Sequence, residues 1–337
     1  MRQEIKHERQ RLVDIVPLPA PFSIIIDPCG LCNFKCRFCP CNTSPYKANE
    51  RQRMMAPETF EKFTDSMKEF AEVGGVKVVC LYGFGEPLLN PLLPDYAKTL
   101  KRYNLCREVR ITTNGSLLSP DTNKRLIDSG VDLIRISLNA LSSDGYMEMC
   151  SVSLDFGEIV SNIEDLFIRS RGTNTFVSIK LIASAIKNEA DIVLFEKKFT
   201  HISDYLFVEA EENHWAGFGK NAENPSFITN AVTRTFENIS LAKTHICSFP
   251  LTDLTIFANG DVGVCCSDWR LDTVVGNINL QSLEEIWNGE KLKSFRIKHL
   301  AGLRSTLPSC RECLWHSPDD ISNDAETILD RLQRRQG

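Results

Sequence analysis

The 337-residue chain is 42% hydrophobic and 25% charged, with a net charge of −5, a balance that suits one large globular domain plus a small one. It has no basic stripe of the kind that marks nucleic-acid or anionic-membrane partners, so neither is expected. The charged N-terminus, MRQEIKHERQ, lacks the apolar core of a signal peptide, and runs such as FSIII are far too short to cross a bilayer. A cytoplasmic location is the resulting expectation. In that reducing compartment 13 cysteines point to metal or redox chemistry rather than to disulfides.

Residues 1–21 read as an N-terminal extension. Short β-branched runs then alternate with segments of helical periodicity. Strands are predicted at FSIIID (22–27), VKVVCLY (76–82), VRITTN (109–114), LIRISLN (133–139), FVSIKLIAS (176–184) and DYLFVEAE (204–211). Helices are predicted at 56–73, 93–103, 119–130, 156–171 and 189–202. Pro57 and Pro120 stand near helix starts and Gly130 just past a helix end, as capping favours. Six such units, ending near residue 212, predict an α/β fold with a parallel sheet, curled or doubly wound, and helices outside. Residues 213–245 read as a loop, 246–317 as a small unit of different build, and 318–337 as a charged tail.

The first strand runs into DPCGLCNFKCRFCPCN (27–42), five cysteines in 13 residues. Three of them, Cys32, Cys36 and Cys39, follow a Cys-x3-Cys-x2-Cys spacing at the C-terminal mouth of the sheet, where α/β proteins place chemistry. Three thiolates on a short loop can hold three irons of a cubane cluster and leave the fourth iron open for a ligand. A zinc site completed by Cys29 or Cys41 is the alternative that counting leaves open.

This stretch resembles the cluster loop of the radical S-adenosylmethionine (SAM) superfamily, Cys-x3-Cys-x-aromatic-Cys, here Cys32, Cys36, Phe38 and Cys39. The resemblance implies a partial (β/α)6 barrel, a 4Fe–4S cluster on the three cysteines, SAM chelated at the fourth iron, and Phe38 beside the adenine. YGFGEPLLNP resembles the family's Gly-Gly-Glu motif, with Gly85 and Glu86 retained and Phe84 at the first glycine position. Glu86 is thereby expected to accept from the methionine ammonium. Asn114 in TTNG, and Ser137 and Asn139 in SLNA, match positions that contact the methionine carboxylate or the ribose. Cys29 and Cys41 are left over, with packing as their expected role.

A second cysteine group follows. CSFPLTDLTIFANGDVGVCC reads as a cysteine, a hairpin turning at Asn259-Gly260, and a cysteine pair. SLEEIWNGEKLKSFRIKHLAG is an amphipathic helix capped by Ser282 with Glu285 three residues on, and CREC closes the unit. The set resembles the SPASM auxiliary-cluster extension, more closely its shortened twitch form. The resemblance implies a second 4Fe–4S cluster on Cys247, Cys265, Cys310 and Cys313, with a four-cysteine zinc ribbon as the alternative. No cysteines follow the CREC pair, so a third cluster is not expected.

Family chemistry implies that one electron, from a reducing partner such as flavodoxin or ferredoxin, cleaves SAM. The resulting 5′-deoxyadenosyl radical would then take a hydrogen atom from a small-molecule substrate. Candidate substrate-facing residues are Lys180 on the fifth strand, Glu209 or Glu211 on the sixth, and His214 and Trp215 beyond it. The first strand comes by residue 22, leaving no room for the leader-binding domain common in peptide modifiers. That and the likeness to aminocyclitol dehydrogenases favour a carbohydrate-like substrate and net oxidation of an alcohol carbon. Epimerisation would need a thiol hydrogen donor, for which Cys266 and then Cys150 are the candidates. A peptide or protein maturase and a non-catalytic electron-transfer or redox-sensing protein are the remaining readings.

Overall fold

The computed structural model describes residues 10–48, 50, 52–71, 73–209, 246–313 and 321–334. Glu211, His214 and Trp215 lie outside the described residues, as does the whole 213–245 segment.

Six parallel strands form in chain order: β1 (Ser23–Ile26), β2 (Val76–Leu81), β3 (Cys106–Thr113), β4 (Leu133–Leu138), β5 (Phe176–Ile182) and β6 (Tyr205–Glu209), each hydrogen-bonded to the next. Helices Pro57–Ala71, Leu93–Arg102, Pro120–Asp128, Phe156–Ser170 and Glu189–Phe199 connect them. The expected partial barrel is therefore present. Alternation sets the two faces of its wall. On one face Val79, Leu81, Ile111, Ile134, Ile136, Leu138, Val177, Ile179 and Leu181 are fully buried in the apolar core. Their neighbours Cys80, Arg110, Thr112, Arg135, Ser137, Ser178 and Lys180 face the lumen.

The sheet continues past β1. Strands β7 (Asp253–Ile256), β8 (Asp261–Gly263) and β9 (Val274–Asn277) extend it to nine strands, in the order β6-β5-β4-β3-β2-β1-β7-β8-β9. β7 pairs parallel to β1, Ser23 opposite Asp253 and Ile26 opposite Ile256, and β8 and β9 follow antiparallel. The β7–β8 turn falls at Asn259-Gly260 as expected, with Gly260 at φ +90°. The expected long helix past Ser282 is two helices, Leu283–Trp287 and Glu290–Leu300, with the Ser282–Glu285 capping box in place. Gly289 separates them: a Cβ there would lie 2.7 Å from the Glu285 carbonyl oxygen.

Two further helices depart from the sequence expectation. Ser143–Cys150 forms beyond β4, capped by Ser142. In the charged tail, Ala325–Arg334 buries Ala325, Ile328 and Leu332. Arg331 there donates to the Val13 carbonyl, and Arg11 pairs with Asp324 at 2.9 Å, so the N-terminal segment and the tail hold each other. Among the described residues no helix is long and apolar enough to cross a membrane.

Candidate functional site

Several contacts fix the loop after β1. The Lys35 and Arg37 N–H groups donate to the carbonyls of Cys150 and Met149 at 2.8 and 3.1 Å, tying the loop to the end of the Ser143–Cys150 helix. The Tyr46 hydroxyl donates to the Gly30 carbonyl at 2.9 Å. A further contact is made by Gly85, whose missing side chain leaves room for the loop backbone. A Cβ there would lie 2.0 Å from the Cys29 carbonyl oxygen and 2.3 Å from that of Leu31. Beside it, the Glu86 N–H donates to the Leu31 carbonyl at 2.8 Å.

The residues expected to hold SAM gather at this mouth and are knitted to one another. Glu86 is 2% exposed. Its carboxylate accepts from the Thr113 hydroxyl (2.6 Å), the Asn114 N–H (2.7 Å) and the Leu88 N–H (3.1 Å). Burial raises its pKa to about 7 against those bonds. Among the described residues Oε2 accepts only the Asn114 bond, which leaves an acceptor position there for a ligand donor. The Asn114 amide donates to the Asn33 side chain at 2.9 Å and accepts from the Ser116 hydroxyl at 2.7 Å. Asn139 donates to the Cys36 sulfur at 3.5 Å. Both asparagines therefore brace the cysteine loop, whereas the Ser137 side chain has no hydrogen bond to the described residues. Phe38 is partly buried against the core.

Cys32, Cys36 and Cys39 are partly exposed on one side of this loop. Burial pushes the Cys32 thiol up to about 12, so a thiolate there requires a compensating cation, which iron supplies. Among the described residues no three His, Cys, Asp or Glu side chains converge on one point as a mononuclear site requires. A cubane binds each thiolate to a different iron and needs no such convergence. The remaining sulfurs pack as expected. Cys29 is fully buried, and the Cys41 thiol donates to the Phe84 carbonyl at 3.0 Å.

Cys150 needs correction as a hydrogen donor to substrate. It is 0% exposed and its sulfur lies 3.4 Å from that of Cys36, so its thiol is occupied by a cluster-ligand candidate rather than open to a substrate. Lys180 and Glu209 do share the luminal side of β5 and β6, but they form an ion pair with each other. In that pair Lys180 donates and Glu209 accepts.

The second cysteine set is assembled around buried Arg304 and His299. The Arg304 guanidinium donates to the carbonyls of Cys310 and Cys313, both at 3.0 Å. His299 accepts from the Cys247 N–H at 2.8 Å; burial, then Arg304, holds its pKa down at about 4, so its ring is neutral. Buried Asp268 joins the two ends of the set, accepting from Thr273 at 2.7 Å and from the Ser309 hydroxyl at 2.8 Å. Burial, then the neighbouring Cys265 and Cys313 thiols, pushes the Cys310 thiol up to about 12. Cys247 is raised by burial and by Cys265, Cys313 and Cys310 in turn. The four thiols thus lie within electrostatic reach of one another. Cys266 lies within electrostatic reach of Cys265 and of Tyr82, the residue that follows β2. Arg304, His299 and Asp268 were not singled out in the sequence, where no motif marks them.

A curled parallel sheet with a three-cysteine loop at its mouth and a four-cysteine set on its extension defines a two-cluster iron–sulfur radical protein. The radical SAM superfamily model matches residues 26–180, and that of the SPASM iron–sulfur cluster-binding domain matches residues 247–314. The chain carries a radical SAM domain followed by a SPASM domain, and these two domains imply 4Fe–4S clusters and SAM as its cofactors. Among curated relatives, GTP 3′,8-cyclase of Aquifex aeolicus (strain VF5) is 26% identical over 179 residues, 53% of each chain. The probable GTP 3′,8-cyclase of Metallosphaera sedula is 34% identical over 122 residues, 36% of this chain and 35% of the relative. The match to the first spans about half its length. Among solved structures, BtrN in complex with AdoMet and 2-DOIA has a TM-score of 0.57 at 18% identity, covering 90% of this chain and 98% of that one. Streptococcus suis SuiB bound to SAM gives 0.64 at 18% identity, covering 83% and 68%. The anSMEcpe structure with bound AdoMet gives 0.60 at 15% identity, covering 94% and 98%.

Proposed function

We propose that this protein oxidises a hydroxyl-bearing carbon of a small polar substrate held in the barrel lumen, in the cytoplasm, with a flavodoxin or ferredoxin as reductant. Residues 22–212 form the catalytic barrel and 246–317 the auxiliary unit. Cys32, Cys36 and Cys39 hold the first cluster, and Cys247, Cys265, Cys310 and Cys313 the second. Phe38, Gly85, Glu86, Asn114, Ser137 and Asn139 form the SAM site. Bound there, the first cluster and SAM supply a 5′-deoxyadenosyl radical, and the second cluster supplies an electron acceptor.

The observation that carries the reading is the parallel pairing of β7 with β1. It makes the auxiliary unit an extension of the barrel wall, so an electron leaving a luminal substrate has an acceptor beside the cavity. Balance is complete: the substrate carbon loses a hydrogen atom to the radical, an electron to the acceptor, and the hydroxyl proton to a base. Glu209, held by Lys180 on the luminal side, is that base. The BtrN likeness, with 2-DOIA bound in that protein, supports a small polar substrate. A peptide substrate is the second reading, favoured by the likeness to SuiB bound to precursor peptide SuiA.

The deciding experiment is anaerobic turnover in heavy water with candidate sugars, aminocyclitols and peptides, read by mass spectrometry. A product two hydrogens lighter is expected. An isomer of unchanged formula carrying one solvent deuterium would replace oxidation by epimerisation, with Cys266 the donor to remove. A modified peptide would overturn the substrate class.

A further inference from the structure

The luminal cations are not equally matched. Arg110 is paired with Glu108 at 2.5 Å, and Lys180 with Glu209. Arg135 has no ion pair or hydrogen bond with any described residue. It projects from β4 opposite Ile134 and Ile136, both fully buried on the core side, and so points into the lumen. Its Nε is buried with no hydrogen-bond partner. Its neighbour across the ladder, Ser178 on β5, is 2% exposed with its hydroxyl oxygen likewise unpartnered. The Phe207 ring, 5.7 Å from the guanidinium, covers one side. The acids Asp253 on β7 and Asp27 after β1, three or more strands away, have local partners: Asp253 accepts from Thr252 at 2.6 Å, and Asp27 accepts from the Cys29 N–H at 3.3 Å.

A buried guanidinium edge beside an idle hydroxyl is costly unless something arrives to meet both. We propose that Arg135 and Ser178 form an oxyanion subsite on the lumen floor, and that the substrate carries a carboxylate or phosphate that docks there. The fork of guanidinium donors suits either group, and the serine adds a further donor. Depth supports the assignment. Arg135 lies two residues below Ser137, about 7 Å along the strand, and the Lys180–Glu209 pair lies above it. A substrate whose anionic end rests on Arg135 can extend up the lumen toward Glu209, four residues above the level of Arg135 across the β4–β5–β6 ladder. This subsite rests on the luminal-substrate reading above and sharpens it: an acidic sugar-like molecule fits, and a cationic aminocyclitol is repelled.

The test is anaerobic calorimetry on the cluster-loaded, SAM-bound protein with two probes, inorganic phosphate and acetate. One of them is expected to bind saturably at one site per chain, identifying the anion. Affinity should fall at least tenfold in Arg135→Gln and several-fold in Ser178→Ala, with SAM affinity unchanged in both. The serine variant decides the matter should Arg135→Gln not fold. Equal probe binding in wild type and variants, or none in the wild type, would overturn the subsite. Loss of SAM affinity in Arg135→Gln would also overturn it, by assigning the arginine to the methionine carboxylate. Iron content and background SAM cleavage of the wild type, measured on the same samples, report on the radical-enzyme reading separately. If they hold while probe binding is absent, the subsite alone fails.

Discussion

Gly85→Ala separates the two clusters by geometry. The added methyl would sit 2.0 Å from the Cys29 carbonyl oxygen, 2.3 Å from that of Leu31 and 2.8 Å from the Gly30 carbonyl carbon. All three are backbone atoms of the cysteine loop, so no side chain can swing aside. Relief requires the loop to move by over 1 Å, about the gap between these distances and ordinary contact. The loop's ties to Cys150 and Met149, and the Glu86 N–H bond to Leu31, oppose that movement. Overpacking of this kind costs about 1–3 kcal/mol, enough to disorder the loop while leaving a large domain folded. The second cysteine set is braced by its own Arg304 and Asp268 contacts and feels nothing. Anaerobic reconstitution should therefore give about eight irons in the wild type and about four in Gly85→Ala, with SAM binding lost. A variant with all eight irons and normal SAM affinity would refute the claim that Gly85 exists for the loop backbone.

Glu86 should make SAM binding pH-dependent. Its pKa, raised to about 7 by burial, means that below that value the ammonium of SAM meets a neutral acid. Affinity should fall about tenfold from pH 8 to pH 6 in the wild type and be flat in Glu86→Gln; a flat wild-type curve from equilibrium binding would remove the carboxylate from the ligand. Arg304→Gln should lower the midpoint potential of the second cluster, because the guanidinium favours its more negative, reduced form. At an effective dielectric near 20 the shift is on the order of 50–100 mV, read by redox-poised spectroscopy. An unchanged potential would limit Arg304 to holding the Cys310 and Cys313 carbonyls.

The barrel was legible because its strands are apolar on one face and uninterrupted, and most of its helices start at Pro or behind a polar cap, as at Pro57, Pro120, Asp155 and Asn188, with Gly130 and Gly172 closing two of them. Predicted ends agree with observed ones to within a few residues. β3 begins at Cys106 rather than Val109 because the polar Arg107 and Glu108 hid its first turn of alternation. The Ser143–Cys150 helix was missed because Gly145 and a mixed face weaken its periodicity, yet it fixes the cysteine loop. The tail read as charged, but its apolar stripe of Ala325, Ile328 and Leu332 needs only three positions in ten to dock. Spacing marked the ligand cysteines, since metal ligation constrains neighbours in sequence. It could not mark Arg304 or His299, which reach the same cysteines from another helix and turn.

Strand pairing between distant segments is the deepest of these limits, and function depends on it. Nothing local in LTDLTIF states that its strand lies parallel beside FSIIID, more than 220 residues earlier in the chain; a hairpin signal fixes only its bond to β8. The pairing follows from exclusion. β1 would otherwise be an exposed edge at the barrel's open side, and Leu254 and Ile256, both fully buried, have no other apolar surface to cover. Closing that edge with the auxiliary unit brings the second cysteine set to the wall that carries Asp27 and the cysteine loop. The same register, Ile25 opposite both Cys80 and Thr255, continues the luminal face from barrel to auxiliary unit without a break. That continuity puts the auxiliary unit on the wall of the same lumen, which the proposed electron transfer from a luminal substrate would use.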